Sequence, residues 1–303
     1  MYQKFDFAQI LAASARAAWQ IEDVLPTGAT LDFERRFLPE NLARIEDLSM
    51  LDEREQRILN HIRGHEYLTI FGLVEEFILP FVLDHARPQL NGDDERVRAL
   101  LNFAGEEAKH IHLFKLFHDR FTEAFGTSCD TIGPPEAVAA EVLRHDPLAV
   151  ALVILHIEWM TQRHYVDSVR DDGDLDPLFK SLLKHHWMEE AQHARLDQMM
   201  VYALAENRDE AAIQSAIEEY LEIGMFLDEG LKSQTGFNLD AFEQATGRTF
   251  APEERAELFE QQHQALRWTY LGSGMTHPKF VATLGSISPA AERRIAEVAP
   301  VFC

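Results

Sequence analysis

The sequence predicts an all-α fold, a four-helix bundle with additional N- and C-terminal helices. Three observations predict it. Residues 51–206 hold four long segments whose apolar residues recur at helical spacing. Alternating β-branched runs are nearly absent, so almost no sheet is expected. Clusters of turn residues fall between the segments, where an antiparallel bundle needs them. No Gly-, Ser- or Pro-rich linker divides the chain. The 303 residues therefore read as one domain, 1–303, with a bundle core at about 51–206 and flanking additions at 1–50 and 207–303.

The stretch MYQKFDFAQILAASARAAW mixes charged and apolar residues and reads as an amphipathic helix, not a signal peptide. An extended, proline-punctuated segment follows. The first long helix is expected over about 51–85 and ends near Pro88, Asn91 and Gly92. The second runs over about 93–125 and stops at Gly126. A loop with Gly133, Pro134 and Pro135 leads into a minor helix. The third long helix spans about 147–169, where DDGDLDP breaks it, and the fourth runs from Pro177 to about Glu206. Beyond the bundle, helices are expected near 209–231, 252–270 and 289–298.

Lys and Arg number 28 against 51 Asp and Glu, a net charge of −23. Phosphate backbones and anionic membrane surfaces would repel such a chain, so neither nucleic acid nor membrane is expected as a partner. No segment approaches the ~20 apolar residues of a membrane-spanning helix. Only Cys129 and Cys303 are present, so thiol-based metal and redox motifs are excluded. A cytoplasmic protein is the expectation.

The second long helix carries Glu106-Glu107-Ala108-Lys109-His110, and the fourth carries Glu189-Glu190-Ala191-Gln192-His193. Each contains Glu-x-x-His, whose two ends share a helix face and can meet one metal ion. A lone copy means little: a third, Glu260-x-x-His263, lies outside the bundle and reads as coincidence. The information is in one copy on each of two bundle helices, with the other two helices each supplying a carboxylate. Glu158 sits in the apolar run LAVALVILHIEWM, where an unpaired charge is costly. On the first helix Glu75 shares a face with Leu68, Phe71, Ile78 and Val82, whereas Glu76 lies on the stripe of His65, Thr69, Gly72 and Asp84. Glu75 is therefore expected inward and Glu76 outward. The same test favours Glu107 over Glu106. Glu75 to Glu107 and Glu158 to Glu190 are both 32 residues, so the two hairpins read as pseudo-repeats.

His186 precedes Glu190 by one helical turn, on the face of His193. The candidate ligand set is Glu75, Glu107, His110, Glu158, His186, Glu190 and His193. Four carboxylates neutralise two divalent ions, and oxygen and nitrogen donors without thiolate suit iron or manganese. Asp197 is a candidate acceptor for the second ring N–H of His193, or a surface Asp paired with an arginine. Tyr165 lies on the face of Glu158, as pocket wall or core. His156 and His164 read as structural. Arg163 and Arg195 either bind an acidic substrate or offset the acidic surface.

At these residues the chain resembles the ferritin-like di-iron carboxylate proteins. Within them it is similar to the p-aminobenzoate N-oxygenase family, which adds a third His one turn before the last Glu-x-x-His. His186 stands at that position. The resemblance covers the bundle, about half of the chain, and nothing in residues 1–50 or 208–303 extends it to a substrate. It implies two iron ions, with manganese possible, dioxygen as co-substrate and an external electron donor. It also implies oxygenation of a small organic substrate, an amine. The C-terminal hundred residues would then be pocket walls, a lid or the interface of a homodimer. The alternatives are a ferritin-like iron-storage protein and a di-iron oxidase or desaturase acting on another substrate.

Overall fold

The computed structural model describes residues 6–303. The first five residues of the expected N-terminal helix lie outside the described residues. The remainder of that helix is α1, Phe7–Ala17, capped by Asp6. Two short helices, α2 (Ile21–Val24) and α3 (Glu40–Ala43), punctuate the extended segment. The bundle follows as α4 (Glu53–Ala86), α5 (Asp94–Phe125), the minor helix α6 (Pro135–Leu143), α7 (Pro147–His164) and α8 (Pro177–Ala205). Then come α9 (Glu210–Thr246), α10 (Pro252–Arg267), α11 (Ser273–Met275), α12 (Pro278–Ile287) and α13 (Pro289–Val298). Among the described residues there is no strand, only an isolated bridge between Arg36 and Leu175. The fold is a four-helix bundle with helices added at both ends.

Asparagine-free, aspartate-based caps start the bundle helices. Asp52 and Glu55 form a capping box on α4, each side chain accepting from the other's backbone N–H. Asp146 and Asp176 cap α7 and α8, each followed by proline at the first helical position. Gly126 ends α5 with φ of 79°, a conformation that costs other residues more.

α4 packs most extensively on α5, and α7 on α8, as two hairpins. From Leu148 to Thr161 every residue of α7 is buried. A helix apolar all round needs cover on every side. α9 lies across α4 and α7, and α11 and α12 pack on α7 as well. This explains the C-terminal residues physically: they close the outward face that the bundle leaves bare.

One boundary differs from the sequence expectation, and one helix is additional to it. α9 was expected to stop near Leu231 but continues to Thr246. Its polar run is not a breaker, because Gln234 accepts from the Ile132 N–H and donates to the Asp130 carbonyl. α12 was not expected at all. It is short, and the burial of Phe280 and Leu284 holds it in place.

Several buried histidines stay neutral. Burial pushes His61 down to about 4, against a hydrogen bond to the Arg35 carbonyl, and pushes His65 and His164 down to about 3. The folded values lie below the unfolded one, so below pH ~6.5 the unfolded chain binds more protons and stability falls. His65 packs on Phe121, with His118 beside it. Relative to His65→Phe, the wild type should lose up to ~1.4 kcal/mol per pH unit between about pH 6.5 and 4. Urea midpoints of both proteins across that range check this, and a pH-independent difference would rule it out.

Candidate metal centre

The four bundle helices bring all seven predicted side chains into two adjoining groups. Glu75, His110, His186 and Glu190 form one; Glu107, Glu158, Glu190 and His193 form the other. In each, the donor atoms lie within 4.8 Å of one another, and every residue is buried. Glu190 belongs to both. Its Oε1 is 2.6 Å from His186 Nε2 and 3.1 Å from His110 Nδ1, and its Oε2 is 2.7 Å from His193 Nδ1. His186 Nε2 also lies 3.0 Å from Glu75 Oε1, and His193 Nδ1 lies 2.9 Å from Glu107 Oε1. The groups are unequal, one with two imidazoles and one with a single imidazole.

The paired glutamates of the two Glu-Glu-x-x-His runs divide their work. Glu107 and Glu190 point into the site, and the preceding glutamates cross to the opposite helix. His110 Nε2 lies 2.8 Å from Glu189 Oε2, and His193 Nε2 lies 2.8 Å from Glu106 Oε2. A carboxylate accepts, so each Nε2 carries a proton and each Nδ1 lone pair is left facing the site. Glu106 is further held by Ser14 at 2.6 Å and Gln192 at 2.9 Å, and Glu189 by Lys109 at 2.5 Å. Trp19 stacks on His110 with ring centroids 5.8 Å apart, and its N–H donates to the His185 carbonyl.

These contacts correct two readings. Glu106 is half-buried and engaged, not a solvated neighbour of Glu107. Asp197 does not accept from His193; Glu106 takes that role. Asp197 is fully buried and neither of its oxygens has a hydrogen-bond partner. Glu76, half-exposed, pairs with Lys115 at 3.1 Å, as the face assignment expects. The third Glu-x-x-His is structural: His263 pairs with Asp228 at 3.0 Å, and Glu260 is exposed.

Electrostatically, the site without cations is unbalanced. Burial raises Glu75 and Glu158 well above the usual carboxylate range, and the charge of Glu190 adds to the rise. Glu107 is raised for the same reasons. Burial would raise Glu190 too, but His186, His193 and His110 outweigh it and hold it well below. Burial would lower His110; Glu190 and Glu189 reverse this and push it up to about 9. Meanwhile Glu75 Oε2, Glu158 Oε2, both oxygens of Glu107 and His110 Nδ1 have no hydrogen-bond partner. Orphaned buried acceptors on three carboxylates are what a pair of divalent cations would satisfy.

A cavity of about 490 Å³ adjoins the site between α4, α7 and α9. Phe71 lines it and meets His186 edge-on at 5.4 Å between centroids. Val74 and Ile157, each one residue before a candidate ligand, line it as well. His156 is part of this wall, which its reading as merely structural missed. Arg163, Arg195 and Tyr165 do not line it. Arg163 donates to the Ser273 carbonyl and Thr276, and Tyr165 stacks on Trp187.

No known family model matches the chain, and no curated protein matches it. Solved structures of R2-like ligand-binding oxidases, all point mutants, are similar to it. One with an anaerobically reconstituted Mn/Fe cofactor is 16% identical, over 86% of this chain and 92% of that chain, with a TM-score of 0.46. One with an aerobically reconstituted Mn/Fe cofactor is 14% identical, over 89% of this chain and 93% of that chain, with a TM-score of 0.46. Another aerobically reconstituted mutant is 14% identical, over 89% of this chain and 98% of that chain, with a TM-score of 0.45. Identity this low leaves the chemistry to be read from the side chains themselves.

Proposed function

We propose that Glu75, Glu107, His110, Glu158, His186, Glu190 and His193 hold two metal ions, and that the protein is a dimetal oxidase. Iron is the physiological pair in this reading, with manganese an alternative. Dioxygen is the co-substrate, and a small organic molecule occupies the cavity. The observation that carries the reading is Glu190, shared by two groups of buried oxygen and nitrogen donors, several of whose atoms have no hydrogen-bond partner.

The bound metal pair supplies redox equivalents and open positions for dioxygen. The chain's own residues do the rest. Glu106 and Glu189 fix the imidazole tautomers of His193 and His110. Phe71, Val74 and Ile157 form the apolar cavity wall next to the ligands. His186 adds a neutral donor to one group and makes the pair asymmetric.

The finer reading is N-oxygenation, and His186 is the residue that favours it. An amine R–NH₂ would become R–NHOH, one oxygen atom entering the N–H bond. The other would leave as water, with two electrons and two protons from an external donor.

Metal analysis with single-residue variants tests the ligand set. Glu75→Ala should lose at least one metal, and Glu76→Ala should keep both. The reverse outcome would place α4 about 100° from its assigned rotation. Oxygen uptake by the reduced, iron-loaded protein, with mass analysis of an added arylamine, tests the reaction. Slow accumulation of ferric mineral without product would favour storage instead.

A further inference from the structure

The polar side chains of the cavity wall have spent their protons elsewhere. His156 Nε2 lies 3.1 Å from the Tyr270 carbonyl, which can only accept, so Nε2 carries the hydrogen. His156 is buried, and among the described residues no carboxylate forms an ion pair with it, so the ring is neutral and Nδ1 is a bare acceptor. Nδ1 is 2.7 Å from Tyr220 Oη, so Tyr220 donates to it. Tyr270, in the same wall, donates its hydroxyl to Glu66 Oε1, and that carboxylate is ion-paired with Arg63 at 2.7 Å. Ser233 donates to the Glu229 carbonyl at 3.0 Å. Only Thr131, at the exposed rim, keeps an uncommitted hydroxyl proton among the side chains of the described lining.

What the tyrosine hydroxyls still offer is lone pairs. The described lining contains no Lys or Arg, and its one carboxylate, Glu229, stands exposed at the mouth. The whole chain carries −23, which opposes entry of an anion. Gly274 makes room for the ring: a Cβ there would stand 2.0 Å from His156 Cδ2, so a larger residue would displace it.

We infer that the cavity selects apolar molecules that bring their own N–H or O–H donor, an amine or a hydroxyl, and carry no carboxylate. This deepens the oxidase reading, since it rests on the cavity being that site's substrate pocket. A ligand with a donor completes the acceptors of Tyr220 and Tyr270. An acceptor-only ligand leaves lone pairs facing lone pairs, and a carboxylate finds no counter-charge.

Calorimetry on the metal-loaded protein tests it with four probes of one shape. These are para-butylaniline, para-butylphenol, N,N-dimethyl-para-butylaniline and para-butylbenzoate. The aniline or the phenol should bind at least about tenfold more tightly than the dimethylated analogue, with the benzoate weaker still. In His156→Phe the Tyr220 proton is released, and the dimethylated analogue should gain affinity until the preference falls to within about threefold. Equal or tighter binding of the dimethylated probe or the benzoate to the wild type overturns the inference, as does binding of none of the four. Repeating the titration on metal-free protein separates the two claims. Donor selectivity in a protein that holds no metals would leave this inference standing and the oxidase reading fallen. Two bound metals without selectivity would do the opposite.

Discussion

Glu190→Ala should abolish binding of both metals, where loss of any other ligand affects mainly one group. Glu190 is the one side chain common to the two groups. It also balances three imidazoles, which hold it well below the usual carboxylate range against the effect of burial. Removing it leaves His110, His186 and His193 without their shared counter-charge. Metal content measured after loading should fall to near zero. Oxygen-consuming turnover should fall by more than the ~10–100-fold that loss of an outer hydrogen-bond partner costs a metal site. Glu189→Gln supplies that smaller comparison: it keeps all seven ligands and weakens the hold on His110 Nε2 together with the ion pair to Lys109. Circular dichroism should show the bundle folded in both variants. Two metals retained in Glu190→Ala would show that the shared carboxylate is not the bridge between them.

Arg63→Met should be the most destabilising substitution far from the metal ligands. Arg63 is fully buried. Its Nε donates to Glu66 at 2.7 Å, and its Nη1 to Gln262 at 2.8 Å and to the Ala43 carbonyl at 3.2 Å. One guanidinium thus ties the end of α3 to α4 and α10. Taking it away leaves Glu66 buried with Tyr270 as its one side-chain donor among the described residues, which costs about 3–5 kcal/mol. Thermal denaturation should show a midpoint lower by roughly 5–8 °C. The double variant Arg63→Met, Glu66→Leu should recover most of the loss, because a buried ion pair replaced whole by apolar side chains is nearly neutral. A single variant within about 1 kcal/mol of wild type would mean that water or a rearranged partner satisfies Glu66.

The helical period alone placed the bundle and its inward face. Glu75 rather than Glu76 and Glu107 rather than Glu106 follow from 100° per residue, and Glu158 from its apolar surroundings. The equal 32-residue spacings tied the two hairpins into one pattern. All of that information is local, within a few turns of one helix. What the period could not show is which residues meet across helices. The face test sets Glu106 aside and assigns Glu189 no role, because each leaves its own helix face to reach a histidine about 80 residues away or more. Asp197 sits at the right interval from His193, yet the carboxylate that accepts its proton comes from α5. The sequence reading ends α9 near Leu231, and beyond it Gln234 finds its partners in the 130–132 loop. His156 read as an ordinary core residue, and only the packing of α9 and Gly274 around it made it part of a cavity. Periodicity, a property of one helix, is written in the sequence. Hydrogen bonds between distant helices and the voids between them exist only after the chain has packed, so the tertiary structure alone decided the partners of the imidazoles and the polarity of the cavity.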